Sequence, residues 1–259
     1  MTVLQAIVLG AVQGFTEFLP VSSSGHLILL QRLFGIENNV LLYSVLLHVG
    51  TLIPVIVVLF KDILKLIKNP SKFGYLVLAS IPAGIVGLAI SAFIDLDTIF
   101  STHIWLLSIT FLLTAAELIL SERRANKVKL KNDINFKTSL IMGVGQSFGV
   151  VPGLSRSGTT LSFGTLAGVK KEENASFTFL MSIPIILAAA LMEGYKCYKV
   201  GFSSVEVLPL LVGVLTAMVT GYIAIRFMLK IIKKHNYKWF SLYLVGISIF
   251  TLITHFVEL

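Results

Sequence analysis

The sequence predicts an all-α polytopic membrane protein with about six transmembrane helices and two shorter re-entrant helix–turn–helix hairpins, arranged as an inverted-topology repeat. Three observations carry this expectation. The 259 residues are 56% hydrophobic and only 13% charged, with a mean hydropathy of +0.90. Six apolar runs, at 41–60, 73–94, 102–120, 177–193, 207–226 and 239–257, match the ~20 residues that a helix needs to cross a bilayer. Two Ser/Gly-rich stretches, each led in by a short apolar segment, repeat one another.

Cationic residues order the six runs. Lys61, Lys65, Lys68 and Lys72 form one cluster, and Arg123, Arg124, Lys127, Lys129, Lys131 and Lys137 a second. Lys170 and Lys171 form a third, and Arg226, Lys230, Lys233, Lys234 and Lys238 a fourth. Placing all four in the cytoplasm accords with the enrichment of Lys and Arg in cytoplasmic loops. The loop holding Asp95 and Asp97 is then external. Residues 121–137 are expected to be a mobile basic loop. The N-terminus lacks a basic region ahead of its apolar stretch, so no cleavable signal peptide is expected. The net charge of +8 is topology of this kind rather than a nucleic-acid face. The single cysteine, Cys197, excludes an internal disulfide and a cysteine-based zinc site.

This topology makes residues 1–40 begin and end outside, or cross twice, and residues 138–173 begin and end inside. Each segment holds one Ser/Gly motif between short apolar halves, at 3–19 and 27–34 and at 139–151 and 161–169. Interrupted apolar segments at matching places in two halves of a chain point to a binding site at a repeat interface. The halves align residue on residue: Gly10 with Gly143, Gln13 with Gln146, Phe15 with Phe148, Ser22 with Ser155, Ser24 with Ser157, Gly25 with Gly158. The expected organisation is one membrane domain over 1–259, with repeats at about 1–120 and 134–259. Pro54 with Pro184, and Pro82 with Pro209, extend the likeness weakly.

The first motif reads Pro20-Val21-Ser22-Ser23-Ser24-Gly25-His26. Hydroxyls donate to phosphate oxygens, glycine lets backbone approach, and a helix N-terminus adds unpaired N–H groups and a positive dipole end. The same serines also suit N-caps and turns. Glu17 stands inside an otherwise apolar stretch, where an ionised side chain costs about 2.5–3.5 kcal/mol on insertion scales. It is a candidate base, orienter or metal ligand, with Gln13 one helical turn before it. His26, three residues after Ser23, is expected to share a turn-centred pocket with it. In the second motif Arg156 is the one cation of the turn, among Ser155, Ser157, Gly158, Thr159 and Thr160. A guanidinium at membrane depth requires an anion, and its planar fork suits phosphate. The alternative partner is Glu17. His48, with Tyr43 and Ser44 before it, is a weaker candidate at the entrance.

Gln-Gly-Phe-Thr-Glu-Phe-Leu-Pro-Val-Ser-Ser-Ser-Gly-His at 13–26 and Pro-Gly-Leu-Ser-Arg-Ser-Gly-Thr-Thr at 152–160 resemble the two signatures of the undecaprenyl-pyrophosphate phosphatases of the bacitracin-resistance type. The resemblance covers essentially the whole chain. It implies an integral plasma-membrane enzyme that hydrolyses the pyrophosphate of a C55 isoprenoid carrier at the outer face, for reuse in cell-wall synthesis. It implies a divalent cation (Mg²⁺ or Ca²⁺), held in part by Glu17, and it admits a homodimer. By motif, Glu17, Ser23, His26 and Arg156 are its catalytic set, and Gln13, Ser22, Ser24, Gly25, Ser155, Ser157, Gly158, Thr159 and Thr160 surround the phosphates. Two positions depart from the pattern: Gln13 and Ser44 stand where acidic residues are common. The nucleophile stays open between Ser23, His26 and water. A secondary carrier or a lipid-carrier flippase with a central phosphate site is the rival reading, since broken helices around a central anion site serve carriers too.

Overall fold

The computed structural model describes residues 1–36, 40–127, 129–200, 206–232 and 237–257. Lys233, Lys234 and His235 lie outside the described residues, as do the side chains of Glu193 and Cys197. Apart from one isolated bridge between Asn132 and Val169, the regular structure among the described residues is helical. In chain order these residues form α1 Val3–Phe18, α2 Ser23–Leu33, α3 Val40–Val58, α4 Phe60–Ile67, α5 Pro70–Phe93, α6 Leu96–Thr102, α7 Trp105–Lys127, α8 Phe136–Phe148, α9 Arg156–Leu166, α10 Lys171–Val200, α11 Val207–Ile232 and α12 Lys238–Phe256.

Helices α5, α7, α10, α11 and α12 are long and apolar enough to cross a membrane. A sixth crossing is α3 if the bent α3–α4 pair is counted. Along α5, Val77, Ile81, Ile85 and Leu88 are exposed, an apolar face that lipid rather than water covers. The chain is a multi-pass membrane protein. The run expected at 41–60 stops at Val58, and the chain turns by 78° into α4. The 61–72 cluster is therefore not a plain loop: Lys61 and Lys65 alternate with Ile63, Leu64 and Ile67 on an amphipathic helix. In the stretch expected to be an external loop, Asp95 caps α6 by accepting from the Thr98 backbone N–H at 3.1 Å.

Residues 121–137 correct a second expectation. Helix α7 runs on to Lys127, and residues 131–133 beyond it are tied down. The backbone N–H groups of Lys131 and Asn132 donate to the Gly168 carbonyl. Lys170 Nζ donates to Asp133 at 2.6 Å. Residues 131–133 clamp the α9–α10 junction.

Helices α1 with α2 and α8 with α9 form the two hairpins. Their arms of 16, 11, 13 and 11 residues are shorter than a span requires. Helix α1 starts on a capping box between Thr2 and Gln5. It stops because Pro20 forces Leu19 out of the helical region, to φ −74°, ψ 143°. Helix α8 starts on a capping box between Asn135 and Thr138. The two second arms are capped alike. Ser22 Oγ accepts from the Gly25 N–H and Ser155 Oγ from the Gly158 N–H. Ser22 and Ser24 hydroxyls lie 3.4 Å apart, and those of Ser155 and Ser157 3.3 Å. The sequence likeness is thus a likeness of turns.

Small residues let the first arms approach their neighbours closely. A Cβ at Gly10 would stand 2.3 Å from the Gly213 carbonyl oxygen of α11, and one at Gly143 2.4 Å from that of Ala79 on α5. Matching glycines therefore lie against helices of opposite halves of the chain. Pro82 follows Ala79 while Pro209 precedes Gly213, so these two prolines do not occupy equivalent places in the packing. Helices α7 and α12 are joined by reciprocal bonds, Ser108 Oγ to the Ser248 carbonyl and Ser248 Oγ to that of Ser108, both 3.0 Å.

Candidate active site

The tips of the two hairpins meet. Ser23 and Ser24 begin α2, Arg156 and Ser157 begin α9, and all four line one polar pocket with Thr16, Glu17, His48, Gly149, Leu154 and Ser155. The first N–H groups of a helix have no partner within it and carry the positive end of its dipole. Two such ends facing one pocket make an anion site.

Glu17 is its hub. The carboxylate, 2% exposed, forms an ion pair through Oε1 with Arg156 Nη2. Its Oε2 accepts from Ser23 Oγ at 2.7 Å and from Gln13 Nε2 at 3.0 Å. His48 Nε2 lies 3.4 Å from both Glu17 Oε2 and Ser23 Oγ. His48 Nδ1 is 2.7 Å from the Ser44 carbonyl. A carbonyl only accepts, so Nδ1 carries a hydrogen, and Nε2 is the nitrogen that faces Ser23 and Glu17. His48 is the site residue that the motif reading ranked too low. Like Glu17, it is an ionisable side chain inside an apolar run, and that signal was present in the sequence.

The expected residues divide into two sets. Glu17, Ser23, Ser24, Ser155, Arg156 and Ser157 come together at the pocket. Gln13 touches it only through Glu17. The Ser22 hydroxyl and the Gly25 and Gly158 N–H groups are spent on caps. Thr159 and Thr160 donate to the Arg156 carbonyl, bracing α9.

His26 corrects the expectation of a pocket shared with Ser23. Its Nδ1 lies 2.7 Å from the Ser22 carbonyl and its Nε2 2.6 Å from the Tyr243 hydroxyl. The ring stacks on Tyr243, with centroids 5.6 Å apart, and Phe111 meets it edge-on. Both nitrogens are engaged, and His26 does not line the pocket.

The donor set is not a metal cage by itself; Glu17 is the one carboxylate of the pocket that could share a cation with substrate phosphates. Among the described residues no three His, Cys, Asp or Glu side chains gather to hold one. The one pocket carboxylate already serves Arg156, Ser23 and Gln13. At position 44, Ser44 accepts from Gln31 at 3.0 Å and brings no charge.

Comparison with known proteins agrees with this architecture. The family described as Bacitracin resistance protein BacA matches residues 6–250. A protein of Carboxydothermus hydrogenoformans is 38% identical over 258 residues, covering 97% of this chain and 98% of its own length. One of Moorella thermoacetica is 40% identical over 252 residues, 94% of each. One of Methanosphaera stadtmanae is 37% identical over 277, 98% of each. All three are named undecaprenyl-diphosphatase. With similarity of this extent along almost its whole length, the chain belongs to the bacitracin resistance protein BacA family.

Proposed function

We propose that the chain is a membrane phosphatase that cleaves the phosphoanhydride of undecaprenyl pyrophosphate, giving undecaprenyl phosphate and inorganic phosphate. The observation that carries it is the convergence of Ser23 and Arg156 on Glu17 where two helix N-termini meet. The names of the relatives supply the substrate.

Arg156 turns its fork from Glu17 to the phosphate oxygens, joined by the hydroxyls of Ser24, Ser155 and Ser157. Ser23 Oγ attacks the terminal phosphorus. An Oγ–P bond forms, the bridging P–O bond breaks, and the lipid monophosphate leaves. The Ser23 proton passes to the Glu17–His48 pair, already within 2.7 and 3.4 Å of Oγ. Water then attacks the phosphoserine, the Ser23 oxygen regains a proton, and phosphate departs. A divalent cation, where bound, would be held by the pyrophosphate oxygens with Glu17 as the one carboxylate at hand, and would neutralise charge on the leaving group.

The enzyme works in the plasma membrane with the pocket open to the outside, an orientation supported by the Lys and Arg clusters. A membrane-impermeant maleimide on intact cells should label a cysteine at position 97 but not at 127 in a Cys197→Ser background. The reverse would put the pocket on the cytoplasmic side. The activity itself is tested by phosphate release from a polyprenyl pyrophosphate by the purified protein. Transport or flipping without release would establish the carrier reading instead.

A further inference from the structure

We propose that Tyr243, acting through His26, is a positioning residue that holds the Ser22 turn and so sets Ser23 for attack. The proposal rests on the phosphatase reading above. The two hairpins differ in one respect. Ser22 has φ 70° and is the one non-glycine residue with positive φ among those described. That conformation is unfavourable for a residue with a Cβ. Ser155, its counterpart, has φ −78° and no such strain. His26 also has no counterpart, because Thr159 stands at the matching position and bonds within its own helix. The strained turn and the histidine occur together, and only in the hairpin that carries the nucleophile.

The partners fix the hydrogen positions. The Ser22 carbonyl can only accept, so His26 Nδ1 donates to it at 2.7 Å. In the neutral imidazole Nε2 is then the unprotonated nitrogen, and the Tyr243 hydroxyl donates to it at 2.6 Å. Tyr243 therefore anchors the other end of the ring whose Nδ1–H secures Ser22. Without that hydroxyl the imidazole loses its second anchor and its bond to the Ser22 carbonyl is no longer held in line. The pair is well braced. The rings stack with only 6° between their planes. Phe111 closes the edge at 5.3 Å. Helix α12, which carries Tyr243, is fixed to α7 by the Ser108–Ser248 bonds. Ser23 comes directly after Ser22 and donates to Glu17 at 2.7 Å, so a relaxed Ser22 turn swings Oγ away from that bond.

Tyr243→Phe keeps the stacked ring and removes only the hydroxyl. Phosphate release from a polyprenyl pyrophosphate should show kcat lowered about 10- to 100-fold, as misplacement of a reacting group does, with KM within about twofold and only the small fall in thermal stability that loss of one hydrogen bond brings. A double-mutant cycle separates positioning from general structure. In a His26→Gln background, Tyr243→Phe should cost nothing further, because its hydroxyl acts only through the imidazole. An unchanged kcat in Tyr243→Phe, or a full additive loss in the double variant, overturns the proposal. So does His26→Gln falling as far as Ser23→Ala, which would make His26 a chemical participant. Ser23→Ala, assayed alongside, reports on the phosphatase reading itself: activity retained there removes the nucleophile whatever Tyr243 does.

Discussion

Gly149→Ala should damage turnover without touching any group that reacts. Gly149 has φ −69°, ψ 1°, a conformation open to alanine, so backbone strain is not the cause. The added Cβ would lie 2.5 Å from Arg156 Cα and 2.7 Å from Arg156 Cβ. Carbon atoms rest at about 3.5–4.0 Å, so α8 and the start of α9 must separate by about 1 Å. Neither clashing atom belongs to a flexible side-chain end, and no rotamer change relieves the contact. The displacement falls on the residue that clamps the phosphates. Misplacement of about 1 Å costs about 10²-fold in rate, and overpacking of this kind costs about 1–3 kcal/mol in stability. The assay is kcat/KM for phosphate release alongside a thermal-unfolding scan in detergent. Gly246→Ala is the control, since nothing lies within 4 Å of the Cβ it would add. Wild-type kcat/KM in Gly149→Ala would refute the claim that the close packing of α8 against the start of α9 sets Arg156 in the site.

Arg156→Lys should keep a cation beside Glu17 and so preserve folding, yet lose most of kcat/KM because an ammonium lacks the bidentate fork. Arg156→Ala should also destabilise, by about 3–5 kcal/mol, because it leaves the buried carboxylate unpaired. Thermal scans beside the kinetics separate the two effects, and a Lys variant with near-wild-type kcat/KM would remove the clamp. His48→Gln keeps a polar neighbour for Ser23 but cannot carry the proton. It should lower kcat about 10- to 100-fold, the modest end of acid–base effects because Glu17 remains, and unchanged kcat would take His48 out of the chemistry. Activity titrated with Mg²⁺ should shift its midpoint with substrate concentration and with Glu17→Gln. An unchanged midpoint in the variant would take Glu17 off the cation.

The hairpins were legible because their determinants are local. Pro20 ends α1, Ser22 and Ser155 cap the next arms, and the recurrence of one turn in two places announces itself residue by residue. The crossings were legible as apolar length. The bend at Leu59 was not, since an apolar run does not say where its helix leaves the bilayer. The clamp at 131–133 was missed because its partners, Gly168 and Lys170, come from the next hairpin. The histidines were exchanged for a similar reason. Sequence spacing put His26 one turn from Ser23, but the ring is drawn away by a tyrosine 217 residues further on. His48, 25 residues from Ser23 in the chain, reaches it only through the packing of α3. Arg156 reads in the sequence as a cation requiring an anion, with Glu17 as the alternative to phosphate, and the structure pairs the two.

The central claim is that Ser23 is the attacking group. Ser23 and Ser24 are neighbours at the start of α2 and both line the pocket, but only Ser23 donates to Glu17 and faces His48 Nε2. The most direct test is kcat for phosphate release by Ser23→Ala and Ser24→Ala, purified and assayed together. Ser24→Ala should lose one binding hydrogen bond, roughly 0.5–1.5 kcal/mol, which is a tenfold effect or so. Ser23→Ala should lose about three orders of magnitude or more, as covalent routes do without their nucleophile. Equal and modest losses in the two variants would contradict serine attack and leave the Glu17–His48 pair activating water instead.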